Sequence, residues 1–216
     1  MDIGSSARLL RYNVPGDGNC FFHSVTGAFL RSIHLWKEIA HNGETLCDRI
    51  IRSWINFVEE NPWATPETHM DQRFFRFLAK SQITDEHVEL FKATHYTMMG
   101  IENASEIPSD QARMDMEKAF LQNASYGDQQ MLHLLNVYLK GLVRIHVYDD
   151  ATKHWGQVGD SDHKVCVLVH LRHEHYNLFQ FQGSENSFFI HREKLATESP
   201  RFLMTLLNIP QEEQSF

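Results

Sequence analysis

Apolar residues along the chain keep two different periods, and the switch between them divides it. Over 44–60, Leu46, Ile50, Ile51, Trp54, Ile55 and Val58 fall on one helix face, and Asn61-Pro62 ends the run. Helices are likewise expected over 67–80, with Phe74, Phe75, Phe77 and Leu78 inward, and over 85–98, where Asp85, Glu86 and Glu89 form a solvated face. Two more are expected over 109–121, with Ser109 as N-cap, and over 127–139, with Gly141 as the closing glycine. Beyond that point the period drops to two or vanishes. Residues 142–148 (LVRIHVY), 165–171 (VCVLVHL), 176–181 and 187–190 read as strands of one sheet, and 199–207 as a last amphipathic helix. One strand comes early, at 9–14. It runs into Pro15-Gly16-Asp17-Gly18-Asn19, a dense cluster of turn formers, and an apolar stretch from Cys20 to Leu30 follows as a helix.

Helices first and strands last, apart from that opening strand, describe an α+β domain: a central, mainly antiparallel sheet flanked by helices. No repeat, low-complexity tract or composition shift marks a linker. The 216 residues are expected to form a single domain over 1–208, with 31–122 its mostly helical part and 209–216 a flexible tail. Lys and Arg number 20 against 28 Asp and Glu, a net charge of −8 that disfavours nucleic acid as a partner. No run approaches the ~18 apolar residues of a membrane span, and no signal peptide is read at the N-terminus, so no membrane partner is expected. A monomer is the default expectation.

Cys20, Cys47 and Cys166 cannot close a disulfide framework and are expected to be reduced thiols of a cytoplasmic protein. The absence of a CxxC pair excludes paired-CxxC zinc fingers and ribbons. His170, His173 and His175 have no carboxylate or cysteine partner at ligand spacing, so no metal and no cofactor are expected. Cys47 and Cys166 read as packing thiols, and Met98-Met99 as core filler.

The chemistry concentrates in Pro15-Gly16-Asp17-Gly18-Asn19-Cys20-Phe21-Phe22-His23-Ser24. A thiol attacks as its thiolate, and the first turn of a helix, where Cys20 is expected, is the positive end of the macrodipole that favours this anion. The glycines let the approaching backbone bend so that several N–H groups converge near the sulfur and can hold an oxyanion. A nucleophilic cysteine also needs a base. His175 stands at the head of a strand, and Asn177, two residues on, shares its face. An amide oxygen there can accept from the imidazole Nδ1–H and fix the ring, as the third member of a triad does. His23, at i+3 from Cys20, is a rival base, but it projects from the same helix rather than across a cleft.

Asp17-Gly18-Asn19-Cys20, followed by two aromatics, His23 and Ser24, closely resembles the catalytic Cys box of the ovarian-tumour (OTU) family of deubiquitinating cysteine proteases. Glu174-His175-Tyr176-Asn177 resembles that family's His box. Tyr126-Gly127-Asp128, with its following helix and the strand over 143–148, looks like the family's Trp-Gly-Asp element with Tyr in place of Trp. The three occur in family order over residues 9–181, while the helical stretch 31–122 has no match. The resemblance implies a papain-like OTU fold with a helical insertion between the Cys and His boxes. It implies Cys20 as nucleophile, His175 as general base and then acid toward the leaving lysine amine, and Asn177 as the residue that orients His175. Asp17 follows as a second-rank catalytic residue. The backbone N–H groups of Asp17, Gly18, Asn19 and Cys20 would form the oxyanion hole. Tyr176 would support the His loop and Trp155 would line the substrate channel.

The implied activity is hydrolysis of the isopeptide bond after the C-terminal glycine of ubiquitin or a ubiquitin-like modifier, through a thioester on Cys20. Ubiquitin or polyubiquitin is the implied partner, and the host-cell cytoplasm is the implied setting if the chain is a viral protease or a bacterial effector. Two other readings stand beside this one: a catalytically silent OTU-fold module that only binds ubiquitin, and an enzyme of the same clan with a different acyl substrate.

Overall fold

A computed structural model describes residues 8–64, 70–122, 129–152, 154–156, 163–182, 187–191 and 213–215. β1 (Arg8–Asn13) leads through the glycine-rich loop into α1 (Cys20–Arg31). A small hairpin follows, β2 (Ala40–His41) and β3 (Glu44–Thr45). It turns at Asn42-Gly43, both residues at positive φ, the dipeptide best suited to a two-residue hairpin turn. The helical period on either side hides this element. α2 (Leu46–Glu60) opens in a capping box, in which the Thr45 hydroxyl accepts from the Asp48 N–H and the Asp48 carboxylate from the Thr45 N–H. Then come α3 (Gln72–Lys80), α4 (Asp85–Phe91), α5 (Ser109–Leu121) and α6 (Gln129–Tyr138).

The remaining strands are β4 (Val143–Asp149), β5 (His154–Gly156), β6 (Val165–Arg172), β7 (His175–Gln182), β8 (Ile190–His191) and β9 (Glu213–Ser215). Their order in the sheet is β5-β4-β6-β7-β1-β9, with β8 pairing the start of β6. The ladders are mainly antiparallel, as expected, with two parallel pairs, β4–β6 within the sheet and β1–β9 at its edge.

Alternation along the strands separates two apolar faces. Val143, Ile145, Val147, Val165, Val167, Val169, Tyr176 and Leu178 face the helical layer and share a core with Phe21, Phe22, Val25 and Phe29 of α1 and Phe74 and Phe75 of α3. α1 rests on β6 and β7, α6 on β4, and α3 packs against both helices. The opposite face buries Leu9, Tyr148, Cys166, Leu168, Phe179, Phe181 and Ile190. Among the described residues no helix is long and apolar enough to cross a membrane.

Three expectations need correction. Glu213–Ser215, expected within a flexible tail, pairs in parallel with β1 at the edge of the sheet. Ser109 is not the N-cap of α5 but its first helical residue, and its hydroxyl donates to Glu89 at 2.7 Å. Met98 and Met99 are 87 % and 65 % exposed rather than core filler, because they follow α4 and the looser turn after it onto the surface. The expected helix 85–98 is borne out: α4 continues through a wider helical turn over Lys92–Tyr96 to Met98. The expected helix 199–207 and the Tyr126-Gly127-Asp128 element lie outside the described residues.

Gly141 does close the segment that ends α6, at φ 79, and the Leu142 and Val143 N–H groups both turn back to Leu139 O. A Cβ at this position would collide with the His41 ring. Gly141→Ala therefore meets both an unfavourable backbone conformation and a neighbour packed between two elements. It is expected to cost about 2 kcal/mol or more, read as a lower denaturant midpoint at constant m-value.

Candidate active site

The loop before α1 is organised by Asp17. Its Oδ1 accepts the Asn19 N–H at 2.9 Å, and its Oδ2 lies 3.0 Å from His23 Nε2. Gly18 between them sits at φ 82, a conformation glycine adopts without steric cost. Partial burial pushes the Asp17 carboxyl up, but the hydrogen bonds from His23 and Asn19 outweigh it and hold the group at about 2. It is an anion at any working pH. The sequence assigned His23 as a rival base and Asp17 as a backbone contributor. The structure instead joins their side chains to each other.

Asn19 caps α1 in an unusual way. Its side chain makes no capping bond to the helix. The Oδ1 instead accepts from Arg76 Nη2 at 2.7 Å. Arg76 is fully buried, donates from Nε to Gln72 Oε1 at 2.8 Å and from Nη1 to Phe120 O at 3.1 Å, and lies 4.2 Å above the Phe22 ring. Burial lowers its pKa to about 10, with Asp17 opposing, so it remains a cation. Sequence reasoning missed this residue. The signal available was a lone Arg inside the aromatic run Phe74-Phe75-Arg76-Phe77.

Because its N–H is committed to Asp17, Asn19 is not an oxyanion donor in this geometry, which corrects the sequence-derived set. The first turn of α1 leaves N–H groups at its start without intrahelical partners by construction, that of Cys20 among them.

Cys20 is the first residue of α1 and is 3 % exposed. Its Sγ accepts the backbone N–H of Tyr176 at 3.4 Å. The partner is the second residue of β7, so the sulfur sits where the His-bearing strand begins. The Tyr176 ring packs edge-on against Phe21 at 5.2 Å, which fixes the strand to the helix next to the thiol. His175 is delivered by the β6–β7 hairpin, whose turn places His173 and Glu174 at φ 49 and 64. Two consecutive non-glycine residues in the left-handed region store strain at the base of the candidate site. The His175 ring lies beside Gly16: a Cβ there would sit 3.8 Å from His175 Cε1, in ordinary van der Waals contact.

Asn177 shares the face of His175 and is 4 % exposed. Its Oδ1 is buried without a hydrogen-bond partner among the described residues. Cys20, His175 and Asn177 are thus brought to one end of β7, while hydrogen bonds linking them in series are not formed among the described residues. Such bonds are often long in substrate-free sites and tighten on binding. Trp155 is placed only by its backbone, opposite Tyr148 on the β5 edge.

His170 faces Asn177 across the β6–β7 ladder and stacks on Phe179 at 5.1 Å. Burial pushes its imidazole down to about 4, with Asp150 opposing and Arg11 and Arg172 adding to the shift. The unfolded chain therefore takes up a proton that the folded one refuses between about pH 6.5 and pH 4. The stability that His170 contributes is present above that window and is lost as pH falls through it. Between pH 7 and pH 5 the loss is expected to be about 2 kcal/mol, read from urea midpoints. His170→Gln should flatten that pH dependence by this amount.

No family model matches the chain, and no curated protein sequence matches it. Solved structures do. An OTU domain in complex with ubiquitin aligns over 93 % of this chain and 88 % of its own at 12 % identity, with a TM-score of 0.51. The viral OTU domain protease from Dera Ghazi Khan virus covers 81 % of each chain at 17 % identity and a TM-score of 0.37. That from Farallon virus covers 81 % of this chain and 85 % of its own at 11 % identity and 0.38. At such identities the likeness is one of backbone path, and the first alignment spans nearly the whole chain. Taken with the mixed central sheet and the helices packed on it, it establishes that this chain has the OTU fold.

Proposed function

We propose that the chain is a thiol-dependent deubiquitinase that cleaves the isopeptide bond after the C-terminal glycine of ubiquitin or a ubiquitin-like modifier. One observation carries the reading. A cysteine at a helix N-terminus accepts the N–H that follows a histidine, and that histidine lies against the loop leading to the cysteine. An OTU domain of similar fold is known in complex with ubiquitin.

In this reading the Cys20 thiolate attacks the glycine carbonyl carbon, and the oxyanion takes hydrogen bonds from backbone N–H groups at the start of α1. His175, protonated on removing the thiol proton, gives that proton to the lysine nitrogen as the C–N bond breaks. A thioester remains. Water then attacks it with His175 as base, the C–S bond breaks, and the modifier leaves with a free carboxylate. Asn177 turns its amide oxygen toward His175 Nδ1–H once substrate closes the site.

Hydrolysis of a ubiquitin conjugate that releases a fluorescent amine tests the assignment of roles. His175→Ala is expected to lower kcat/KM by about 10^4-fold, and Asn177→Ala by less, about 10–100-fold, because the ring loses an orienting partner but not its chemistry. The reverse order would remove Asn177 from the triad.

The silent-module reading draws on the open hydrogen bonds among Cys20, His175 and Asn177. It predicts ubiquitin binding with no turnover and no trapping of Cys20 by a ubiquitin electrophile.

A further inference from the structure

We propose that His146, His163 and Cys166 form a binding site for one Zn2+-class cation, on the face of the sheet opposite Cys20. One ligand atom from each residue lies within 4.8 Å of the other two. His163 Nε2 is 3.2 Å from Cys166 Sγ, and the His146 and His163 rings are 5.8 Å apart. Tetrahedral zinc, with nitrogen at about 2.0–2.1 Å and sulfur at about 2.3 Å, spaces its donors roughly 3.4–3.6 Å apart. The His163–Cys166 pair is within a few tenths of an ångström of that spacing, and side-chain movement of about an ångström brings in the third donor.

The site is assembled by the sheet. Cys166 stands at the start of β6, and His163 precedes it by three residues. On the neighbouring parallel strand, Arg144 pairs with Cys166. His146 is two residues further along β4, so it lies on the same face. Cys166 is fully buried in the second apolar cluster, and both histidines are half-buried. Cys20 belongs to the other cluster, on the helical side.

One thiolate and two imidazoles suit a borderline-soft ion. A hard cation such as Mg2+ or Ca2+ requires an oxygen shell, and this cluster contains no carboxylate. On binding, the Cys166 S–H bond breaks, the proton passes to solvent, and an S–Zn bond forms; no oxidant or reductant is involved. Three protein donors leave the fourth position to water. The ion would tie β4, β6 and the segment entering β6 together and so stabilise the fold by mass action.

Co2+ titration of the full chain, stripped of metal with a chelator, tests this. The chain carries Cys20→Ala so that the candidate catalytic thiol adds no signal. A near-ultraviolet thiolate-to-cobalt band is expected to saturate at one equivalent and to vanish when Zn2+ is added. Cys166→Ser should abolish the band, and Cys47→Ser should leave it. His163→Ala, at a half-buried position outside the regular elements, should weaken Zn2+ affinity by more than the ~10–100-fold that losing an outer partner costs. It should also remove the rise in Tm that Zn2+ gives. If Cys166→Ser does not fold, His163→Ala decides. Absence of the band in the parent chain, its survival in Cys166→Ser, or unchanged Zn2+ affinity in His163→Ala would overturn the proposal. None of these readouts depends on ubiquitin.

Discussion

Cys20→Ala is expected to abolish covalent capture of ubiquitin carrying a C-terminal electrophile, and to lower conjugate hydrolysis by at least about 10^4-fold. The effect is large because the sulfur atom itself forms the acyl bond, and no neighbouring group can replace it. His23, the nearest imidazole in sequence, is joined to Asp17. The fold should survive. The sulfur occupies a small buried volume next to Phe21 and the Tyr176 N–H, and its removal costs about 1 kcal/mol by transfer and cavity terms. The measurement is a mass shift of one ubiquitin in the wild type and none in the variant, with binding of unmodified ubiquitin retained. Capture persisting in Cys20→Ala would assign the nucleophile elsewhere. A folded wild type that binds ubiquitin without capture would favour the silent module, and a small alkylating agent would then report whether Cys20 is a thiolate at all.

Arg76→Met is expected to destabilise the protein by about 3–5 kcal/mol, because three buried acceptors lose their donor at about 1–3 kcal/mol each. The side chain volume is nearly kept, so the loss is electrostatic. Asn19 Oδ1, Gln72 Oε1 and the Phe120 carbonyl each lose a donor that water cannot replace at a fully buried position. Arg76→Lys should recover little, because a single ammonium cannot reach three acceptors that a planar fork meets at once. The consequence reaches the candidate active site. Asn19 precedes Cys20, and with its side chain released the loop is no longer latched to α3. Even at temperatures where Arg76→Met remains folded, capture by a ubiquitin electrophile should slow by about 10-fold or more. A midpoint shift worth less than about 1 kcal/mol at unchanged m-value would show that the cation is not what holds the loop.

These two residues illustrate what a linear reading reaches and what it does not. Cys20 was legible because every requirement on it is local: a turn-rich approach, a helix start and an apolar run after it lie within 15 consecutive positions, 16–30. Arg76 was not. Its partners are 4, 44 and 57 residues away, and nothing in α3 says that a basic side chain points into the core rather than along the surface. The same distinction separates Gly141, recognisable as a helix-ending glycine, from the His41 ring that makes it sensitive to substitution. It also separates Met98 and Met99, apolar and therefore expected inside, from their exposed positions.

His163-x-x-Cys166 was open to inspection as a ligand pair, yet the third donor, His146, joins it only through the register of β4 against β6. By itself the sequence determined the α+β class, the six described helices, the long strands β1, β4, β6 and β7, and the order of the Cys and His boxes. Periodicity, turn chemistry and helix ends act over a few residues, and their signals survive in one dimension. Only the tertiary structure decided that Asp17 engages His23, that Arg76 holds Asn19, that Tyr176 offers its N–H to the Cys20 sulfur, and that the sheet is mixed. Those outcomes depend on which elements share a buried face. Burial acts on apolar area without regard to separation along the chain, so the polar partners it brings together are set by the packed whole.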